Sequence, residues 1–137
     1  MMKRTGGCAC GAVRFETNAD PIMVGACHCT DCQKESGGGP NYVALIPADA
    51  FRVTKGTAKA FAKKGDSGKI ALRYFCPDCG TPLWSEPADQ PLFPVKLGAF
   101  DHGHGLVPAM HIFTASAPAW HQIDRSKPCF ERAPEGM

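Results

Sequence analysis

Residues 76–80 read Cys76-Pro77-Asp78-Cys79-Gly80, and this stretch predicts how the fold is held together. Two thiolates three positions apart can face one metal ion if the chain turns tightly between them. Pro77 fixes one φ angle, and Gly80 permits the positive φ that such turns need. The stretch therefore predicts half of a tetrahedral zinc site. A redox dithiol uses the same spacing but favours a strand-to-helix junction, whereas residues 81–84 continue as an extended segment.

Seven of the eight cysteines fall into three clusters, one of which lies in residues 76–80. The other two clusters read Cys8-Ala9-Cys10 and Cys27-His28-Cys29-Thr30-Asp31-Cys32. A closed zinc site takes four thiolates, so one such site leaves three cysteines over. In an extended segment Cys8 and Cys10 lie on one face. With Cys76 and Cys79 they make the composition of a structural four-cysteine site.

The middle cluster supplies the remaining three ligands. Cys27 and Cys29 share one side of an extended chain, His28 points away, and Cys32 returns after a turn of helix. Three protein ligands with an open fourth position are typical of a zinc site that performs chemistry. We therefore predict a catalytic zinc at Cys27, Cys29 and Cys32, with His28 packed or hydrogen-bonded behind the ligands.

Two alternatives stay open at this point. In the first, Cys29 and Cys32 join Cys76 and Cys79, although the gap between the pairs far exceeds the ~15–20 residues common in such fingers. That arrangement also leaves three cysteines unused. A disulfide framework is the other alternative, because eight is an even number. Cys129 stands alone and is interpreted as a buried or bystander thiol rather than a ligand.

The composition favours a mainly β fold within a single domain over residues 1–137. The 15 glycines and 12 prolines make up about a fifth of the chain, which indicates many turns. Short alternating or apolar runs predict strands at residues 11–16, 42–46, 51–54, 58–63, 69–75, 82–85, 93–97 and 110–114. Residues 30–36 predict one short helix, which the run of glycines after it ends. Residues 132–137 are expected to form a loose tail.

Charge and hydropathy exclude some classes of partner. The 15 basic and 13 acidic residues leave a formal net charge of +2, too balanced for a nucleic-acid-binding face. The chain has no polybasic run for a membrane surface and no apolar segment near its start. We therefore expect a cytoplasmic protein, where thiols stay reduced and clustered cysteines favour metal over disulfides.

The motifs resemble those of the glutathione-dependent formaldehyde-activating enzyme (Gfa-like) family, which also includes a chromatin-associated centromere protein. The resemblance covers nearly the whole chain in order. It is carried by the stretches Gly6-Gly7-Cys8-Ala9-Cys10-Gly11-Ala12-Val13-Arg14-Phe15, residues 27–37, Phe75-Cys76-Pro77-Asp78-Cys79-Gly80-Thr81, Pro108-Ala109-Met110-His111-Ile112-Phe113 and Ala117-Pro118-Ala119-Trp120. The loop at residues 37–41 and the stretch 96–104 depart from the family pattern.

The resemblance implies a zinc-stapled β fold called a β-tent, with few helical residues. It implies a structural zinc at the four-cysteine set and a catalytic zinc at the three-cysteine set. It further implies a carbon–sulfur lyase that handles glutathione and formaldehyde, although a fold does not guarantee a chemistry.

Three thiolates around zinc also suit this chemistry on physical grounds. They give the complex a formal charge of −1, so the metal is a weaker Lewis acid than one held by neutral histidines. Such a site favours an incoming thiol such as glutathione. Lys34 is a weak candidate for a donor to the developing alkoxide, and His111 is interpreted as a core histidine. The alternative function is a non-catalytic, zinc-stapled domain that binds a protein partner.

Overall fold

The computed structural model describes residues 3–65 and 67–134, and the fold is mainly β with little helix, as predicted from the sequence. Ten strands and one α-helix are found in the described part of the chain. The elements are β1 (Arg4–Gly7), β2 (Arg14–Thr17), β3 (Met23–Cys27), α1 (Thr30–Ser36), β4 (Asn41–Pro47), β5 (Phe51–Lys55), β6 (Lys59–Lys64), β7 (Ile70–Phe75), β8 (Pro82–Pro87), β9 (Leu92–Lys96) and β10 (Met110–Ile112).

The backbone divides into two compact units. Unit 1 contains the residues up to Ile22 together with Ala44–Gly105, and unit 2 contains Met23–Val43 and the residues from Leu106 onward. The chain passes from unit 2 into unit 1 within β4. A single domain over residues 1–137 stays a prediction.

Unit 1 contains a three-stranded sheet and a meander. The sheet has the order β1-β2-β5, and Gly6 of β1 lies opposite Phe15 of β2 in an antiparallel register. Strands β6 to β9 follow one another as antiparallel neighbours. On the meander, Tyr74 and Trp84 form a cross-strand pair with parallel rings 4.5 Å apart. Such aromatic pairs stabilise a sheet beyond the area they bury.

The core of unit 1 is aliphatic and aromatic. It is made of side chains with almost no solvent exposure, namely Val13, Phe15, Ile46, Leu83 and Val95. Phe15 stacks on Phe51 at 5.2 Å and meets Phe100 edge-on at 5.5 Å. Val13 and Phe15 follow the first cysteine cluster in the chain, and Leu83 follows the third.

Unit 2 contains a parallel strand pair and the helix. Residues Met110 and Ile112 of β10 lie beside Gly25 and Cys27 of β3. Helix α1 spans the residues predicted for it. It ends at Gly37, whose φ of 88° is the left-handed conformation that favours glycine.

Two predictions concern the ends and location of the chain. The carbonyl of Arg132 accepts a hydrogen bond from the Phe113 N–H at 3.2 Å, while residues 135–137 of the expected loose tail lie outside the described residues. Among the helices that the structure describes, none has the length and apolar character needed to cross a membrane.

Candidate metal centres

The first centre lies in unit 1, where four cysteine sulfurs all approach within 4.8 Å of one another. The four are Cys8, Cys10, Cys76 and Cys79. The Sγ atom of Cys10 lies 3.6 Å from that of Cys8 and 3.7 Å from that of Cys76. Cys8 and Cys76 are buried, whereas Cys10 and Cys79 are exposed. The structure thus brings together the first and third clusters of the sequence.

Backbone N–H groups support the sulfurs of this centre. The Val13 N–H donates to Cys8 Sγ at 3.2 Å, and the Asp78 N–H donates to Cys76 Sγ at 3.4 Å. Gly80 has a φ of 79°, and its N–H donates to the Cys76 carbonyl at 2.8 Å. The turn that Pro77 and Gly80 predict is therefore present, with donors aimed at sulfur.

The segment from Cys8 to Gly11 differs from the expectation. It is a turn and not an extended stretch, because the Gly11 N–H donates to the Cys8 carbonyl at 3.2 Å and Gly11 has a φ of 78°. The positive φ of Gly11 lets the chain reverse directly after Cys10. The sulfurs of Cys8 and Cys10 nevertheless lie close together. The turn therefore brings about the pairing that was expected from an extended segment.

Crowding of the thiols shifts their pKa values. The hydroxyl and backbone N–H of Thr81 lower the pKa of Cys79 to about 5. The Ala12 backbone lowers the pKa of Cys10, but hydrogen bonds with Cys8 and Cys79 outweigh it and raise that pKa to about 12. Four thiolates this close repel one another, and a bound dication offsets that repulsion.

The second centre lies in unit 2, where the sulfurs of Cys27, Cys29 and Cys32 all lie within 4.8 Å of one another. Cys27 ends β3, Cys29 caps α1, and Cys32 is the buried residue of the first helical turn. The Cys32 N–H donates to Cys29 Sγ at 3.3 Å. Asn41 Nδ2 donates to Cys32 Sγ at 3.8 Å. Each sulfur thus comes from a different local element, and the helix start makes them converge.

The chemistry of both donor sets fits zinc. Thiolates at this spacing are the ligands that zinc prefers, four for a closed site and three where a position stays open. Hydrogen bonds with Cys29 and Cys32, together with burial, raise the pKa of Cys27. The three thiols are therefore hard to ionise together without a cation.

The structure groups the cysteines into one set of four and one set of three, as the ligand count predicted. Within residues 3–65 and 67–134, the groups of three or more potential metal ligands are the two sets above. Cys29 and Cys32 do not join Cys76 and Cys79. Cys129 lies outside both sets, half-buried, with its Sγ 3.3 Å from the Lys127 carbonyl.

Other residues singled out in the sequence belong to neither cysteine set. Lys34 is exposed on α1. His28 is fully buried, and its ring contacts His111 and His121. Sequence reasoning missed His121, because nothing near it in the chain connects it with a histidine 93 positions earlier.

Comparisons with known proteins agree with these features. The sequence profile described as "Glutathione-dependent formaldehyde-activating enzyme" matches residues 3–116. A Halomonas elongata protein provisionally named as such an enzyme is 28% identical over 95% of this chain and 88% of its own length. A Penicillium rubens protein with the same provisional name is 34% identical over 56% of this chain and 39% of its own length.

A solved structure shows the same fold. The crystal structure of a Rhodobacter sphaeroides protein superposes with a TM-score of 0.58 at 21% identity, covering 76% of this chain and 97% of that one. The profile match extends over most of the chain and includes both cysteine sets. The chain therefore belongs to the glutathione-dependent formaldehyde-activating enzyme family.

Proposed function

We propose that this protein is a zinc-dependent carbon–sulfur lyase that acts on the adduct of a glutathione-like thiol with a small aldehyde such as formaldehyde. The observation that carries the proposal is the convergence of Cys27, Cys29 and Cys32 within 4.8 Å. Family membership supports the link to glutathione and formaldehyde.

The two cysteine sets have different roles in this proposal. Cys8, Cys10, Cys76 and Cys79 would hold a structural zinc, and Cys27, Cys29 and Cys32 would hold the catalytic one. A zinc ion held by three protein thiolates supplies an open coordination position at which a thiol is stabilised as its thiolate.

The chain's own groups set the charge and geometry at the second centre. The Cys32 N–H and the Asn41 amide donate to sulfurs, so each stabilises negative charge on a ligand. Helix α1 fixes Cys32 relative to Cys29 through the cap that Cys29 forms. These contacts hold three ligands in place before any substrate arrives, which reduces reorganisation during the reaction.

The proposed reaction balances without an oxidant or reductant. In one direction the thiol sulfur forms a bond to the carbonyl carbon, and the thiol proton ends on the aldehyde oxygen. In the lyase direction the carbon–sulfur bond breaks, the hydroxyl proton returns to sulfur, and the aldehyde leaves. We place this activity in the cytoplasm, where a reduced thiol pool is available.

Metal analysis and thiol titration test the proposal together. The wild-type chain is expected to bind two metal ions, and Cys27→Ser is expected to lose one while it keeps the fold. Cys129→Ser is the matched control, because Cys129 lies outside both sets. It should keep both ions.

The decisive measurement uses cobalt in place of zinc. Glutathione should change the visible absorption of the wild-type cobalt protein but not that of Cys27→Ser. Exchange between free and adduct formaldehyde should accelerate with the wild type and fail with the variant. Two bound metals with no spectral response to glutathione would instead favour the alternative, a non-catalytic domain that binds a protein partner.

A further inference from the structure

Three buried histidines of unit 2 form a continuous row. His28 Nε2 lies 2.9 Å from His111 Nδ1, and His28 Nδ1 lies 2.9 Å from His121 Nδ1. The three residues are 0%, 6% and 7% exposed, so water does not compete for these contacts. Each contact joins two ring nitrogens, of which one must carry the proton.

Both ends of the row fix where the protons lie. At one end the Asp124 N–H donates to His111 Nε2 at 3.2 Å, so that nitrogen is unprotonated. At the other end His121 Nε2 lies 2.7 Å from the Gly38 carbonyl, which only accepts, so this nitrogen carries a proton. Neutral His111 then donates from Nδ1 to His28 Nε2, and neutral His28 donates from Nδ1 to His121 Nδ1.

The two ends therefore set the same direction independently. The Asp124 N–H requires Nδ1–H on His111 and, through it, Nδ1–H on His28. The Gly38 carbonyl requires Nε2–H on His121, which leaves His121 Nδ1 to accept from His28. A second proton on His28 or His111 would place two donors face to face. The contacts are thus compatible with one arrangement of three neutral rings.

His28 connects this row to the cysteines. Its backbone N–H donates to the Ile112 carbonyl at 3.0 Å, and its carbonyl accepts from Gln33 Nε2 at 2.9 Å. With both ring nitrogens bonded, all four polar atoms of His28 have partners. These four contacts restrain His28, whose chain neighbours are Cys27 and Cys29.

The far end of the row connects to Cys32. Gly38 lies in the loop between α1, which carries Cys32, and Asn41, whose amide donates to Cys32 Sγ. Gly37 and Gly38 have φ angles of 88° and 127°, so this loop depends on conformations that favour glycine. The hydrogen bond from His121 to the Gly38 carbonyl holds the loop.

We propose that His28, His111 and His121 are positioning residues, linked in one directional hydrogen-bond chain that sets the spacing of the three-cysteine centre. The chain acts on Cys27 and Cys29 through His28 and on Cys32 through the Gly38 loop. The inference rests on the metal site proposed above. Zinc–sulfur bonds are ~2.3 Å long, so small shifts of the ligands weaken binding. Burial also lowers the pKa of His111, which agrees with a neutral ring there.

The proton positions are tested on the zinc-loaded wild-type chain. Long-range proton–nitrogen correlation spectra of ¹⁵N-histidine-labelled protein should show Nδ1–H on His28 and His111 and Nε2–H on His121. This pattern is diagnostic, because free neutral histidine favours Nε2–H. A proton on Nε2 of His28 or His111 would overturn the chain, and the measurement needs no variant to fold.

The positioning role is tested by removing the last link. His121→Phe keeps an aromatic ring but loses both hydrogen bonds. Compared with the wild type, we expect the affinity of the three-cysteine centre for cobalt to fall by at least about tenfold, while the affinity of the four-cysteine centre stays unchanged. The weaker binding should be accompanied by altered cobalt–thiolate absorption bands. A variant that is only less stable overall, but still folded, would keep the wild-type bands. His102→Phe, at an exposed histidine of unit 1, is the control and should bind as the wild type does.

A milder variant keeps the test decisive if His121→Phe does not fold. The Asn side chain in His121→Asn retains an acceptor near His28 but is too short to reach the Gly38 carbonyl, so its loss of affinity should be smaller than that of a folded His121→Phe. Wild-type affinity and spectra in either folded variant would overturn the positioning role. A wild-type chain that takes up metal at the four-cysteine set alone would contradict the proposed function. Even then, the ring nitrogen of His28 that carries the proton would show whether the hydrogen-bond chain exists.

Discussion

The Thr81 hydroxyl lies 3.1 Å from the Cys79 sulfur and also accepts a hydrogen bond from the Ala9 N–H at 3.1 Å. Ala9 lies between Cys8 and Cys10, so the Thr81 side chain connects the segment that holds Cys8 and Cys10 with the segment that holds Cys79. Because its oxygen accepts from Ala9, the hydroxyl proton is available to the sulfur. This contact stabilises a thiolate at Cys79.

Removing this hydroxyl should weaken the four-cysteine centre. Thr81→Val keeps the branched shape but loses both hydrogen bonds, and we expect about tenfold weaker zinc binding there. Thr81→Ser keeps the hydroxyl and should bind nearly as tightly as the wild type. Competition with a chromophoric chelator measures both affinities. Equal affinities for the Val and Ser variants would show that the hydroxyl has no role.

Gly6 is packed too closely to accept a side chain. A Cβ atom there would lie 2.3 Å from the Ala99 carbonyl oxygen and 2.5 Å from Cζ of buried Phe15. Gly6→Ala should therefore lower the free energy of unfolding by about 1–3 kcal/mol, as overpacking of a core does. Gly98→Ala is the control, since a Cβ there meets nothing within 4 Å. Urea midpoints compare the two, and similar midpoints would contradict the close approach.

The cysteine centres could be predicted because their signals are local. Residues 76–80 specify a turn by themselves, through a proline that fixes φ and a glycine that permits a positive φ. Helix α1 was equally predictable, since the glycines after Ser36 end it. The count of ligands then separated four cysteines from three, and the structure groups them in that way.

The elements that sequence reasoning missed depend on distant partners. Strand β1 reads Arg4-Thr5-Gly6-Gly7, which has low strand propensity and forms by pairing with β2. Strand β3 has no alternating pattern, because both its faces are partly or fully covered. The histidine row joins positions 83 and 93 apart in sequence, so no local pattern could reveal it.

The two centres should differ in what they contribute to folding. Cys76 is fully buried, and its N–H donates to the Thr81 carbonyl at 3.0 Å, so its sulfur lies within the core of unit 1. Cys76→Ser should lose the metal of that centre and, with it, several kcal/mol of folding free energy. We expect the Tm to fall by about 10 °C or more.

Cys27→Ser is the comparison, and Cys129→Ser is the control for loss of any cysteine. Circular dichroism during heating, with the metal content of each sample, gives the readout. The Tm of Cys27→Ser should be close to that of the wild type, because a metal site with an open position stabilises the fold less than a closed site does. A loss of Tm as large as that of Cys76→Ser would show that both centres are structural.

An ion pair between Arg14 and Asp101 gives unit 1 a defined response to pH. Arg14 Nη1 donates to Asp101 Oδ1 at 3.0 Å and Arg14 Nη2 to Oδ2 at 2.5 Å, while the Thr5 hydroxyl also donates to Oδ2 at 2.5 Å. The guanidinium, and then the hydroxyl, lower the pKa of Asp101 to about 2. Since the Asp101 side chain is 47% exposed, solvent screens the pair and its contribution stays below about 1 kcal/mol.

Asp101→Asn should therefore lower the free energy of unfolding slightly, and the difference from the wild type should depend on pH in one direction. A depressed pKa in the folded state stabilises the fold above the unfolded value of about 3.9. The difference should be constant from neutral pH down to about that value and should vanish as the pH falls through about 2. Urea unfolding of both proteins at matched pH measures it, because protonation of the cysteine ligands affects both alike. In an Arg14→Gln background the same substitution should cost less, and an undiminished cost there would show that the stabilisation does not come from this pair.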